Sequence, residues 1–153
     1  MAARVACTLA FVEHDGINKI TMIKEYGKWN FVTEHVEDVE HETYREAAIR
    51  GVKEEMGCLA ELTGYLGVLD TVYTNKWAED EAVTIMIFTA ELLPTPYDGC
   101  DDTTEEIWPM SIEKIEALPD SELRFPKLVR FALERLKEGK NQPLDEVGEI
   151  AHI

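Results

Sequence analysis

This sequence predicts a mixed β-sheet enclosed by helices, an α+β architecture, and three observations carry that expectation. Runs rich in β-branched and aromatic residues occur early, in "VACTLAFV" and "KITMIKEY", and again in "LTGYLGVLDTVYT" and "EAVTIMIFTAEL". A stretch of helical character separates the two groups, and another follows them. The strands and helices alternate too irregularly for a doubly wound parallel sheet, so a mixed sheet between helices fits better. A length of 153 residues with 45% apolar content suits one substantial core. A single domain over residues 1–153 is therefore expected, with 140–153 as a polar C-terminal tail that is either loop or an added edge segment.

Taken in order, the first two runs flank "EHDGIN", where Asp15-Gly16 favours a tight turn, and form a hairpin. "KWNFV" is a third extended piece, followed by the acidic connector "TEHVEDVEHE". Thr43 and Glu46 have the spacing of a capping box and Gly57 that of a stop, which brackets a central helix. At roughly 100° per residue, Ala48, Ile49, Val52 and Met56 gather on the side expected to be buried, beside Ala47, Gly51, Glu54 and Glu55. The two central strands follow, joined by the polar "NKWAEDE". After a turn-rich loop, "IWPMS" leads into a short helix, "IEKIEAL". In "FPKLVRFALERLKEG", Phe125, Leu128, Val129, Ala132, Leu133 and Leu136 recur at helical spacing, with Pro126 suited to the first turn and Gly139 to the end.

A net charge of −16 argues against an unaided grip on nucleic acid or anionic lipid, so an anionic ligand would need cations between it and the protein. Direct DNA binding and membrane association are not expected. Cys7, Cys58 and Cys100 are odd in number, widely spaced and without a CxxC pair, which points to reduced thiols in a cytoplasmic protein.

The chemistry concentrates in "AAIRGVKEEMGC". Glu54 and Glu55, adjacent carboxylates at the border of a buried face, can converge on a hard divalent cation such as Mg2+ or Mn2+. Arg50 lies one turn from both Glu46 and Glu54 and could orient a carboxylate by a bidentate pair. Gly51 stands one turn before the two glutamates on the same side, in a helix interior where glycine costs about 1 kcal/mol relative to alanine. A third carboxylate there would complete a metal cluster.

This arrangement resembles the Nudix hydrolase family, whose box runs glycine, five residues, glutamate, seven residues, then Arg-Glu-apolar-x-Glu-Glu-x-Gly-apolar. Glu42 stands at the first glutamate, and Arg50 to Cys58 follow with the same spacing. "KEYGKWNFVTEHVE" and "EEIWPMSIEKIEALP" are similar to family segments on either side, so the resemblance covers most of the chain. Two departures stand out. Thr33-Glu34 replaces the paired glycines that usually precede the helix, with a connector about two residues longer, and Gly51 replaces a glutamate the family uses at its metal centre.

The resemblance implies Mg2+ or Mn2+ at Glu54 and Glu55 and hydrolysis of a phosphoanhydride in a nucleoside diphosphate linked to another group. A small-molecule nucleoside diphosphate derivative is the implied partner, and there is room for a homodimer. Gly51 leaves three readings open: drift, a shifted site in which Glu46, Glu42 or a loop carboxylate substitutes, or a weakened domain that binds a nucleotide or regulates. In some relatives the general base lies in the region of Glu105 and Glu106. Trp29, Trp77 and Trp108 could stack on a base or fill the core. A glutamate placed at 51 is expected to restore a ligand, with little change in stability without metal.

Overall fold

The fold is that of a computed structural model, which describes residues 3–96 and 103–144. The elements run β1 (Ala3–His14), β2 (Ile17–Glu25), β3 (Lys28–Asn30), β4 (Val32–His35), α1 (Tyr44–Met56), β5 (Cys58–Thr74), β6 (Asp80–Pro96), β7 (Glu106–Met110), α2 (Ile112–Ala117) and α3 (Pro126–Lys137). The strands form one mixed sheet in the order β3-β2-β1-β6-β5, with β4 paired to β1 and β7 to β2. Cys100 and most of the 94–106 loop's tip lie outside the described residues, as do residues 145–153 of the tail.

Two tight turns fold the first three strands. Asp15 and Gly16 (φ 55° and 75°) and Tyr26 and Gly27 (φ 52° and 74°) each place two successive residues in the left-handed region, the requirement of a two-residue hairpin whose twist matches its strands. Only the first of these was marked by a favourable Asp-Gly pair. "KWNFV" becomes two short strands, β3 and β4, divided at the buried Phe31.

β1 is the organising strand. It runs parallel to β6 from Ala3 to Phe11, while its other edge is shared: β4 pairs with Val5 to Thr8 and β2 with Ala10 to His14. Pairing passes from one partner to the next around Leu9. Side chains alternate across this strand. Val5, Cys7 and Leu9 join Leu128, Val129, Ala132 and Leu133 of α3 in one core, whereas Ala6 and Ala10 face the α1 layer with Ala47, Ala48, Val52 and Met56. Helices thus cover both faces of the sheet, and the small residues on the α1 face let that helix come close.

The long β5–β6 pair carries register shifts near Gly64 and Gly67. At the second, the Leu66 carbonyl accepts a 2.7 Å hydrogen bond from Arg135 Nε, which ties α3 to the sheet. Gln142 exchanges backbone hydrogen bonds of 2.7 and 2.8 Å with Tyr65, so the described part of the tail does add an edge bridge. Among the described residues no helix is long and apolar enough to cross a membrane.

Candidate functional site

α1 begins and ends as its sequence dictates. Thr43 Oγ1 accepts from the Glu46 N–H at 3.2 Å, Glu46 Oε1 accepts from the Thr43 N–H at 3.0 Å, and Gly57 closes the helix at φ 70°. These interactions commit Glu46 to the cap. The buried face is Ala47, Ala48, Gly51, Val52, Glu55 and Met56, while Ile49 is 39% exposed. The expected phase is thereby corrected: at roughly 100° per residue the buried arc is centred on Glu55 and Ala48 and stops short of Ile49. The reason is β4, which crosses the Ala47–Gly51 side and packs it against the sheet.

A carboxylate at the centre of a buried arc is exceptional. Glu55 is 7% exposed and borders a cleft of ≈ 490 Å³. The lining also includes Thr33, Glu34 and His35 of β4, the apolar Val5, Val83 and Ile85, and Tyr73, Glu81, Arg124, Phe125 and Lys127. The lining thus mixes three carboxylates with two cations, and Tyr73 and Phe125 form an edge-to-face pair with ring centroids 5.9 Å apart.

Arg50 gathers the carboxylates around it. Its Nε and Nη2 donate to Glu42 Oε2 and Oε1 at 2.8 and 3.0 Å, Nη2 donates to the His35 carbonyl at 2.8 Å, and Nη1 donates to Glu54 at 3.2 Å. Glu34 Oε1 lies 3.3 Å from the same Nη1. The pair with Glu42 is bidentate, the arrangement a planar guanidinium favours. It holds the Glu42 carboxyl below the usual range and leaves Glu42 as the partner of Arg50. Burial pushes Glu34 up to about 7, opposed by Arg50 and reinforced by a hydrogen-bonded Glu54. Sequence reasoning did not single out Glu34; its signal was the acid standing where the resemblance anticipates glycine.

Glu105 and Glu106 sit elsewhere. Glu105 accepts from the Gly27 N–H at 2.8 Å, and Glu106 is held low first by Trp108 Nε1 at 3.1 Å and then by Lys24 at 3.2 Å. Neither borders the cleft. Trp29 packs on the core, whereas Trp77 and Trp108 are 68% and 56% exposed.

The NUDIX domain family model matches residues 2–131. The chain belongs to the Nudix family. A Nudix hydrolase from Nitrosomonas europaea superposes with a TM-score of 0.81 at 21% identity, covering 100% of both chains. The Nudix domain of Shewanella oneidensis NrtR complexed with ADP ribose gives 0.64 at 14% identity over 89% of each chain. An ADP-ribose pyrophosphatase from Streptococcus suis gives 0.63 at 18% identity, covering 90% of this chain and 93% of that one. At such identities the likeness establishes the Nudix fold. No curated protein matches the chain.

Nudix hydrolases generally use divalent metals. Among the described residues no three or more His, Cys, Asp or Glu side chains form, as they stand, a group that could hold a metal ion. The side chains nonetheless fit in kind: Glu34, Glu54 and Glu55 carry oxygen donors on two facing elements, the donor type a hard cation prefers. The glutamate expected to restore a ligand at 51 does not fit. A Cβ at Gly51 would stand 2.9 Å from Glu34 Cβ and 3.1 Å from Val32 Cγ1, so the expectation of unchanged stability is overturned by packing.

Proposed function

We propose that this Nudix protein hydrolyses a phosphoanhydride in a nucleoside diphosphate linked to another group, with Mg2+ or Mn2+ as its cation. The observation that carries this reading is Glu55, a carboxylate buried at the centre of the α1 face and opening onto the cleft. The metal, held by α1 carboxylates, would neutralise the diphosphate and lower the pKa of a bound water. Arg50 fixes Glu54 by hydrogen bonding. In the cleft Lys127, and Arg124 beside its partner Glu25, favour an anionic ligand, and the Tyr73–Phe125 pair offers a ring face or edge to a base. Similar structures include one complexed with ADP ribose and one described as an Ap4A hydrolase, from C. elegans. Free Cys7 and Cys58 suit a reducing, cytoplasmic compartment.

A second reading rests on Gly51: a Nudix domain that binds such a ligand and turns it over poorly. Loss of a water-activating group costs about a hundred- to ten-thousand-fold. A panel of nucleoside diphosphate derivatives, each assayed with Mg2+, with Mn2+ and with chelator, decides. Metal-dependent release of a nucleotide supports hydrolysis, and saturable binding without release supports the second reading. A panel with neither would sink both.

A further inference from the structure

The glycine in α1 has a partner across the interface. The space that a side chain at 51 would enter is filled by the base of Glu34, whose Cβ and Cγ would lie 2.9 and 3.4 Å from a Cβ at 51. Only one of these two backbones can send a side chain into the gap. Glu34 does so from the strand: its carboxylate and that of Glu54 both lie within 3.3 Å of Arg50 Nη1. Arg50 thus draws together two carboxylates that come from facing elements. Glu34 also borders the cleft beside Glu55.

We propose that the carboxylate missing from the helix at 51 has been transferred to the facing strand, so that Glu34 of β4 binds the divalent cation together with Glu54 and Glu55. This rests on the metal-dependent reading above and extends it with a ligand that lies outside the Glu42–Cys58 box. The glycine then records an exchange of positions between strand and helix. Both departures from the family pattern, the acid at 34 and the glycine at 51, acquire one cause, because a close strand–helix approach admits an acid on one side only when the other side has no Cβ.

The test is a Mn2+ titration by calorimetry, paired with thermal melts in chelator that establish folding, and it needs no substrate. Glu34→Gln should remain folded and bind Mn2+ at least about tenfold more weakly, the loss expected when a group at a metal site is removed. Gly51→Glu alone should lower the melting temperature in chelator, since its Cβ has no room. Added to Glu34→Gly, the same Gly51→Glu change should instead recover Mn2+ affinity relative to Glu34→Gly alone. In the Glu34→Gly background Gly51→Glu should also lower the melting temperature in chelator by less than it does alone, the non-additivity of two residues sharing one space. Unchanged Mn2+ affinity in Glu34→Gln, with weakened affinity in Glu54→Gln and Glu55→Gln, overturns the exchange and leaves the metal-dependent reading intact. A wild-type protein that binds no Mn2+ overturns both. Gly51→Glu as stable as wild type in chelator also overturns the exchange.

Discussion

At the scale of single residues, one guanidinium does the organising. Arg50 is 27% exposed at its side chain, yet it donates to Glu42, Glu54 and the His35 carbonyl at once. A lysine could not reproduce that fork. Glu42 additionally accepts from the Glu37 N–H at 3.0 Å, so the acidic connector is pinned to α1 through a single carboxylate. Glu42→Gln should cost on the order of 1–2 kcal/mol at neutral pH, from weakened charge-assisted hydrogen bonds. The pH dependence has a definite sign. Because the folded value of Glu42 is depressed, its contribution is present above the ordinary carboxylate value of 4.5 and is lost as pH falls through the lower folded value. The stability gap between wild type and Glu42→Gln, measured by urea titration, should therefore be full at pH 7 and shrink below pH 4.5; a gap that widens there would refute the assignment.

At the scale of elements, what the sequence disclosed and what it withheld divide along a physical line. The α1 cap, the Gly57 stop, the first hairpin and the apolar stripe of α3 depend on neighbours a few residues apart, and all were legible. Thr43→Ala should lower thermal stability by about 1 kcal/mol, the usual worth of such a cap, and a melt unchanged within error would show the cap to be redundant. The phase of the α1 buried face was not legible. A helical wheel fixes angles between residues but not which angle meets the sheet, and the helix was turned by β4, seventeen residues upstream of Gly51 at Glu34. Glu34 escaped for the same reason: no periodicity links a strand residue to the helix packed upon it. The second hairpin escaped because Tyr26 adopts a left-handed conformation that glycine, asparagine or aspartate would have advertised.

At the scale of the whole molecule, the acidity of the chain sets its response to salt. A net charge of −16 makes self-repulsion a cost of compactness, and salt relieves it as the screening length contracts. The melting temperature in chelator should thus rise when NaCl is raised from about 10 mM to about 150 mM, over which the Debye length falls from about 30 to about 8 Å. A decrease would mean that specific ion pairs outweigh the general repulsion. The shared edge of β1 has a further consequence. β4 is held to the sheet by only four registered pairs, from Val5↔His35 to Thr8↔Val32, whereas β6 is paired along both of its edges. A short strand paired along one edge opens more readily than one paired along both, so β4 can detach transiently while the rest of the sheet stays closed. In deuterium-labelling experiments the amides of Thr33–His35 should exchange faster than those of Ile85–Ala90, and saturating Mn2+ should slow the former selectively. Protein that exchanges both segments at one rate, with or without the ion, would show that the carboxylate-bearing strand moves only when the whole domain unfolds.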